Sequence, residues 1–183
     1  FACMLVGNDM TSQNAVLMEL IHKNELDDHI ILPGPRSDIP AVMNALDLHV
    51  LSSFSESMPL AIIEAMACGT PCVVTDVGDA ALVVGDTGWV VPPKEPKALA
   101  AGIESAIAAL EKKGKDELGQ RCRKVVEEKY SLEVMVDSYI KLWRETAADF
   151  ETKATRKIDK DVVKNLEFNK MFSIIKLLLI LLK

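Results

Sequence analysis

Two glutamates, Glu56 and Glu64, are the residues of this chain whose type and spacing best suit chemistry. Glu64 is the only polar residue between Leu60 and Cys68, a stretch whose composition predicts a helix. Apolar residues recur three and four positions away from Glu64, so helical spacing predicts that its carboxylate lies on or beside the packing face. Burying an unpaired carboxylate is unfavourable. The pattern therefore predicts a carboxylate that binds a ligand or, alternatively, one that bonds a backbone N–H or a lysine.

The start of this helix is predicted to attract an anion. Pro59 suits the first helical turn, because the N–H that proline lacks would be unpaired there in any case, and Ser57 is the predicted N-cap. Free N–H groups at a helix N-terminus suit a diphosphate. Glu64 lies roughly 7–8 Å further along the helix, a distance that suits the hydroxyls of a ribose. Glu56, in the preceding loop, either meets a sugar beyond the phosphates or is solvated.

The elements that position these residues alternate along the chain. Apolar runs predict strands at 1–6, 29–32, 48–51, 72–75 and 89–91, and helices are predicted at 11–23, 38–45, 59–68, 97–112, 116–129 and 132–148. The runs are apolar at consecutive positions, which is typical of parallel strands buried on both faces. The alternation predicts an α/β fold with a Rossmann-like parallel sheet, helices on both faces and further helices at the C-terminal end.

Ligands of such sheets bind beyond the carboxyl ends of the strands. The loops that follow Val6, Leu32, Leu51 and Thr75 are therefore the predicted ligand loops. The last of them, with the sequence DVGD, is predicted either to touch the ligand or to form a simple turn before a capped helix. Thr11 or Ser12 is predicted to cap the first helix.

Charge and composition exclude several functional classes. A net charge of −6 argues against a nucleic-acid partner, because phosphate backbones require clustered Lys and Arg. The chain has neither the GxGxxG of dinucleotide-binding folds nor a GxxxxGK[ST] phosphate loop. Its three histidines are scattered, so no metal site is predicted. The cysteines form no CxxC pair and are predicted to be reduced core thiols of a cytosolic protein: Cys3, Cys68, Cys72 and Cys122.

Charge also divides the chain near residue 150. Residues from Phe150 onward carry a net +4 and residues 1–149 carry −10, so we predict a domain at 1–149 and a basic, apolar tail at 150–183. The apolar end of the tail is shorter than the about 20 residues of a membrane span, and Lys176 interrupts it. The tail is predicted to lie on an anionic membrane surface, to dock on the domain as a helix, or to be foreign sequence.

Several stretches together resemble a known enzyme family. SESMPLAIIEAMACGTP, with the E-x7-E spacing of Glu56 and Glu64, is followed by CVVTDVGD and GDTGWVVPPKEPKALA. With LVGN, DDHIILPG, DIPAVMNALDLHVLSS and KYSLEVMVDSYIKLW, they resemble glycosyltransferase family 4 across residues 2–148 in unbroken order. The resemblance implies the C-terminal domain of a GT-B enzyme, which holds a UDP-, GDP- or similar donor sugar. It also implies transfer with retention at the anomeric carbon and with neither a metal nor another cofactor.

Carried over residue by residue, the resemblance assigns Glu56 to catalysis, where it would bind donor-sugar hydroxyls and help to stabilise the charged transition state. Glu64 would bind the ribose. The other donor-binding residues that it implies are Ser57, Met58, Pro59 and Leu60 at the helix start, Gly34, Pro35 and Arg36 after the second strand, and Gly7 after the first. The family usually has glycine where this chain has Ser57. Its first strand, which carries an Arg and a Lys for the diphosphate, is expected to precede Phe1.

The sequence therefore predicts the donor half of a hexosyl-type glycosyltransferase that acts on a glycan or lipid-linked acceptor. We expect it in the cytoplasm, or peripherally at the inner face of the membrane, with an N-terminal acceptor-binding domain as its partner. The stretch present here is expected to be inactive alone. Two alternatives stay open: a nucleotide-sugar epimerase-like domain of the same fold, which the unbroken family 4 stretch counts against, and a non-catalytic scaffold or binding domain.

Overall fold

The computed structural model describes the backbone of residues 1–157 and the side chains of residues 1–150. The chain divides into two compact units, of which the first is Phe1–Ser131 and the second begins at Leu132. The predicted boundary after residue 149 rests on charge and stays a prediction; the backbone is helical on both sides of it. The tail beyond residue 157, with its predicted membrane contact, lies outside the described residues.

Parallel strands form the sheets of the first unit. They are β1 Cys3–Val6, β2 Ile30–Gly34, β3 His49–Leu51, β4 Cys72–Thr75 and β5 Trp89–Val91. β1 pairs with β2, and β3, β4 and β5 form a second sheet with β4 in the middle. The register places Val50 opposite Val73, and Val74 opposite Val90. All described pairs are parallel, which confirms the predicted sheet type.

Helices follow the strands. They are α1 Ala15–Lys23, α2 Ile39–Ala45, α3 Leu60–Ala67, α4 Ala80–Val84, α5 Pro96–Lys113, α6 Lys115–Lys129 and α7 Leu132–Lys157, with a 3-10 helix at Gly85–Thr87. The chain thus alternates strand and helix from β1 to α5 and ends in consecutive helices. Both features confirm the predicted α/β organisation.

Two local predictions were wrong. Asn14, and not Thr11 or Ser12, caps α1, and its side chain accepts a first-turn N–H at 3.2 Å. Thr11 lies in the preceding turn, where its carbonyl accepts the N–H of Asn14. β2 also continues through Pro33 to Gly34 instead of ending before the proline. Proline is tolerated there because β1 is the one described strand that pairs with β2, so a missing N–H breaks no described ladder on the other side.

The core lies on both faces of β4, which is wholly buried. Cys72 and Val74 face one side and pack in a cluster with residues of α3, α4 and α6. Val73 faces the other side and packs with Val91 and with Ala106 of α5. Successive strand residues point to opposite faces, so an unbroken apolar run requires helices on each. This arrangement confirms the predicted two-sided cover.

β1 and β3 are buried less completely than β4. All four residues of β1 are half-buried, Val50 in β3 is 37% exposed, and Ile31 in β2 is 46% exposed. Within residues 1–157, each of these strands pairs on one side only, whereas β4 pairs on both. The first unit therefore has open strand edges at β1 and β3. Their consecutive apolar residues are typical of strands in the interior of a sheet.

The second unit is described along α7. Tyr139 and Trp143, one helical turn apart, place their rings 5.9 Å from each other, and Lys141 lies 4.0 Å from Glu145. Apolar side chains are exposed at Leu132, Met135, Val136, Tyr139, Leu142, Trp143 and Phe150. None of the helices described is long and apolar enough to cross a membrane.

Candidate functional site

The loop between β3 and α3 holds Glu56 in a defined position. Glu56 is half-buried, and the Ser53 hydroxyl donates a hydrogen bond to its Oε1 atom at 2.7 Å. One carboxylate oxygen is thereby engaged with a neighbour three residues away. The loop itself follows the carboxyl end of a parallel strand, which is where this class of fold binds its ligands.

α3 begins with unpaired backbone donors. Pro59 is its N-cap residue, is buried, and has φ −74° and ψ 99°. No side chain caps the helix, and the N–H groups of Leu60 and Ala61 have no hydrogen-bond partner among the described residues. The predicted N-cap role of Ser57 was wrong, because Ser57 lies two residues outside the cap. The free donors are those that an anion would meet at this helix start.

Glu64 lies on the outside of α3 and not on its packing face. Ile62, Ala65 and Met66 form the buried face, and Glu64 is exposed. The prediction that its carboxylate lies on or beside the packing face was therefore wrong, because that face is formed by Ile62, Ala65 and Met66 while Glu64 points to solvent. The carboxylate is open to solvent, so it can meet a ligand without first giving up a buried partner.

The turn after β4 packs against the Glu56 loop. The Thr75 hydroxyl donates to the Ser53 carbonyl at 2.8 Å, and the Asp79 N–H donates to the Ser57 carbonyl at 2.8 Å. Gly78, between them, approaches the same loop backbone. The DVGD sequence of this turn is compatible with a ligand contact and with a simple turn. Thr75 and Gly78, at and after the end of an apolar strand, are the sequence features that indicate a packed turn. Neither of them predicts that the turn contacts the Glu56 loop.

The turns after β1 and β2 meet through their backbones. The Gly7 N–H donates to the Gly34 carbonyl at 3.2 Å, and the Gly34 N–H donates to the Met10 carbonyl at 3.0 Å. Gly34 is buried and Pro35 beside it is exposed. A cleft of 510 Å³ opens beside the first of these turns and is lined by Asp9, Thr11, Gln13, Asn14, Ala15 and Val16.

Arg36 is paired with Asp38. Its Nε atom lies 2.7 Å from Oδ1 of Asp38, and a terminal nitrogen lies 2.5 Å from Oδ2. Both side chains are exposed. The hydrogen bonds from Arg36 lower the pKa of the Asp38 carboxyl, and the same bonds raise the pKa of Arg36. A ligand that uses this guanidinium must compete with the carboxylate two residues away.

The predicted site residues thus fall into two groups. The first group, on the β3–α3 segment, is Glu56, Ser57, Met58, Pro59, Leu60 and Glu64. The second group is Gly34, which ends β2, and the turn residues Gly7, Pro35 and Arg36 after β1 and β2. No hydrogen bond or ion pair of the described residues joins one group to the other. Their roles toward a ligand stay predictions.

The described residues contain no group of three His, Cys, Asp or Glu side chains that could hold a metal ion. His22 pairs with Asp27, and the ring of His29 lies 3.0 Å from the Phe1 carbonyl. His49 Nε2 is buried without a hydrogen-bond partner, and burial lowers the pKa of this side chain. Metal independence of the chain stays a prediction.

The predicted core position of the cysteines is confirmed for two of the four, and their reduced state stays a prediction. All four are free, and Cys72 and Cys122 are buried in the core. Burial raises the pKa of both thiols, so they stay protonated and unreactive. Cys3 and Cys68 are only half-buried.

Known proteins resemble the chain in sequence and in fold. Over 153 residues it is 29% identical to N-acetyl-alpha-D-glucosaminyl L-malate synthase of Bacillus anthracis, covering 80% of the chain and 38% of that protein. Over 97 residues it is 36% identical to O-antigen chain mannosyltransferase B of Escherichia coli, covering 52% of the chain and 26% of that protein. It also matches the structure of Anabaena Alr3699/HepE in complex with UDP-glucose, with a TM-score of 0.67 and 25% identity, covering 79% and 41% of the two chains.

The chain spans less than half the length of each of these three proteins. The match to the Anabaena structure over 79% of the chain, together with the parallel strands and the helices between them, confirms the predicted fold class. The family model described as Glycosyl transferases group 1 matches residues 1–109, which is more than half of the chain. The sequence resemblance, the parallel α/β fold and this match together place the chain in the group 1 glycosyl transferase family.

Proposed function

We propose that this chain is the donor-binding half of a retaining glycosyltransferase that moves a hexose from a nucleoside-diphosphate sugar to a glycan or lipid-linked acceptor. One observation carries the proposal. A carboxylate held in place, Glu56, lies in the loop that leads from the carboxyl end of a parallel strand to the uncapped N-terminus of α3. That juxtaposition suits a ligand with hydroxyls at one end and a diphosphate next to them.

The chemistry divides between the loop and the helix. Positive charge develops at the anomeric carbon as the nucleoside diphosphate leaves, and negative charge develops on the departing phosphate. Glu56 stabilises the first charge and binds sugar hydroxyls. The free N–H groups at Leu60 and Ala61 face the second. The proposal requires no metal and no other cofactor.

The nucleoside occupies the outer face of α3 in this proposal. Glu64 is exposed on that face and its carboxylate accepts hydrogen bonds from the ribose hydroxyls. The base lies toward the turns after β1 and β2, where the backbone of Gly7 and Gly34 and the exposed ring of Pro35 form its wall. Arg36 reaches the base side only by exchanging its bond to Asp38. The donor is a UDP- or GDP-sugar, and UDP-glucose is the ligand named for the Anabaena structure.

The acceptor belongs to cell-surface glycan synthesis in this proposal. The name of the Escherichia coli relative refers to O-antigen, a surface polysaccharide. We place the protein in the cytoplasm, with peripheral contact to the inner face of the membrane through the basic residues after Phe150.

The open strand edges support a second half of the enzyme. Two runs of parallel strands, β1 to β2 and β3 to β5, end at edges that pair with nothing described. In the strand order of dinucleotide-binding sheets, one more strand lies between two such runs. We propose that an N-terminal portion supplies this strand and the acceptor-binding domain, and that the 183 residues alone do not turn over.

Nucleotide binding by the chain tests the donor site. Titrations with UDP and GDP compare the chain with Glu64→Ala and with Glu104→Ala, an exposed glutamate on α5 that serves as the matched control. We expect one nucleotide to bind, and Glu64→Ala to weaken it by about 10- to 100-fold, the size of a lost hydrogen bond to a charged group. Equal losses in both variants, or none in Glu64→Ala, contradict the ribose role. Binding of neither nucleotide favours the scaffold alternative.

A further inference from the structure

The backbone of the Glu56 loop is fixed from one side by the turn after β4. Thr75, which is 3% exposed, ends β4 and donates its hydroxyl hydrogen to the Ser53 carbonyl at 2.8 Å. Four residues later, the Asp79 N–H donates to the Ser57 carbonyl at 2.8 Å. These two hydrogen bonds hold the loop at positions on either side of Glu56.

Gly78 closes the space between the two hydrogen bonds. A single carbon added at its Cβ position would lie 2.3 Å from the Ser57 carbonyl oxygen and 2.5 Å from the Glu56 carbonyl oxygen. These atoms are backbone, so they cannot turn aside as a flexible side chain would. Any side chain at this position therefore moves the loop, the turn, or both.

The displaced atoms include the backbone of the proposed catalytic residue. The Glu56 carboxylate is held to the loop through Ser53, so a shift of the loop carries the carboxylate with it. Reacting groups tolerate little misplacement, and about 1 Å can cost a hundredfold in rate. The turn after β4 is thus in a position to set where Glu56 stands relative to a ligand at the α3 N-terminus.

We propose that Gly78 and the Thr75 hydroxyl are positioning residues for Glu56, and that the bare Gly78 backbone is required for Glu56 to reach the donor sugar. The inference rests on the proposed function for its ligand. The placement of the loop is independent of the proposed function, because it can be measured without any ligand.

Gly85 supplies a matched control. Gly78 has φ +52° and Gly85 has φ +50°, so alanine is strained at both. A Cβ atom at Gly85 meets nothing within 4 Å, whereas at Gly78 it meets the loop. Comparing Gly78→Ala with Gly85→Ala separates the contact from the strain that both variants share.

The first experiment measures the loop directly by amide NMR of the 183-residue chain. We expect Gly78→Ala to shift the resonances of the loop from Phe54 through Met58, and Gly85→Ala to leave them in place. Shifts confined to residues 77–80 in Gly78→Ala would overturn the positioning role.

Thr75 provides an independent variant if Gly78→Ala fails to fold. Thr75→Val keeps the shape and removes the hydroxyl, and Thr75→Ser keeps the hydroxyl. We expect Thr75→Val to shift the same loop resonances and Thr75→Ser to restore them. A loop that responds equally to both substitutions would mean that packing, and not the hydrogen bond to Ser53, places it.

The second experiment adds the ligand. UDP and UDP-glucose are titrated separately, with GDP and GDP-mannose as the second pair, and the sugar contribution is the ratio of the two affinities within a pair. We expect Gly78→Ala to reduce that ratio by roughly tenfold while the nucleotide alone binds as before. A loop that moves without changing the ratio overturns the requirement for Glu56 placement. If no pair binds to the parent chain, the proposed function fails, and the NMR comparison still decides whether Gly78 places the loop.

Discussion

Single atoms decide how the two glutamates can act. Glu56 is restrained, because Ser53 Oγ donates to Oε1 at 2.7 Å, whereas Glu64 is exposed on α3. A restrained carboxylate suits a reacting centre, since its orientation is fixed before a ligand arrives. An exposed one suits a ligand contact that forms and breaks with each binding event.

Removing the Ser53 hydroxyl should release Glu56. We expect Ser53→Ala to weaken the binding of UDP-glucose by about 0.5–1.5 kcal/mol more than the binding of UDP, which is the net contribution of one hydrogen bond. Calorimetric titration measures both affinities. Ser105→Ala, which removes a hydroxyl bonded only to the Ala101 carbonyl on α5, is the control and should change neither. A Ser53→Ala chain with the parent ratio of affinities would mean that Glu56 is held by other contacts.

His49 should make the fold sensitive to acid. Burial lowers its pKa, and its Nε2 atom has no partner, so the folded chain holds the ring neutral. The unfolded chain binds a proton on His49 more readily than the folded chain does. Folding stability is therefore highest above about pH 6.5 and decreases as the pH falls below that value. Urea unfolding measures the free energy of unfolding at pH 7.5 and at pH 5.5. The difference between these two values should be smaller in His49→Leu than in the parent chain. An unchanged difference would assign the acid sensitivity to other groups.

At the scale of elements, α6 holds α3 from its C-terminal end. The Arg123 side chain donates to the Cys68 carbonyl at 2.9 Å, which satisfies a carbonyl at the end of α3. Gly119 lies against Gly69, and a Cβ atom there would come within 2.5 Å of the Gly69 carbonyl oxygen. These contacts lie at the end of α3 opposite the candidate site.

Filling that contact should separate the two helices. Gly119→Ala places a methyl group against backbone and should cost about 1–3 kcal/mol, the usual penalty of overpacking. Gln120→Ala, on the exposed neighbouring position, should stay within about 0.5 kcal/mol of the parent chain. Thermal unfolding measures both. A Gly119→Ala chain as stable as Gln120→Ala would mean that the helices can move apart freely.

At the scale of the whole molecule, the described strands form two sheets and not one. β4 pairs on both sides, whereas β1 and β3 each pair on one. Cys3 and Val50 lie in apolar runs, yet the first is half-buried and the second exposed. Such edges usually carry charge or proline, which discourages pairing, and these do not.

Hydrogen exchange tests the open edges. We expect the amides of β4 to exchange slowest, and the amides of β1 and β3 that point away from their partners to exchange far faster. Mass spectrometry or NMR on the 183-residue chain measures the difference. Equal protection in all three strands would show that β1 and β3 pair directly, and the proposed place for another strand would then be lost.

The sequence by itself determined most of the strand and helix segments, and it predicted which loops meet a ligand. Consecutive apolar residues such as Val73 and Val74 require burial on both faces, and Pro59 followed by an apolar run is compatible with little except a helix start. The E-x7-E spacing did not identify the family by itself, but the unbroken set of matching segments around it did.

Only the tertiary structure decided what those residues face. Glu64 is exposed because α3 turns Ile62, Ala65 and Met66 inward, and a local pattern rich in apolar residues cannot say which stripe the sheet will cover. Gly78 meets the Glu56 loop across more than 20 residues of chain, and Thr75 meets Ser53 across 22. Contacts of that length depend on how parallel strands stack, which is fixed by packing between elements and not by the residues within any one of them.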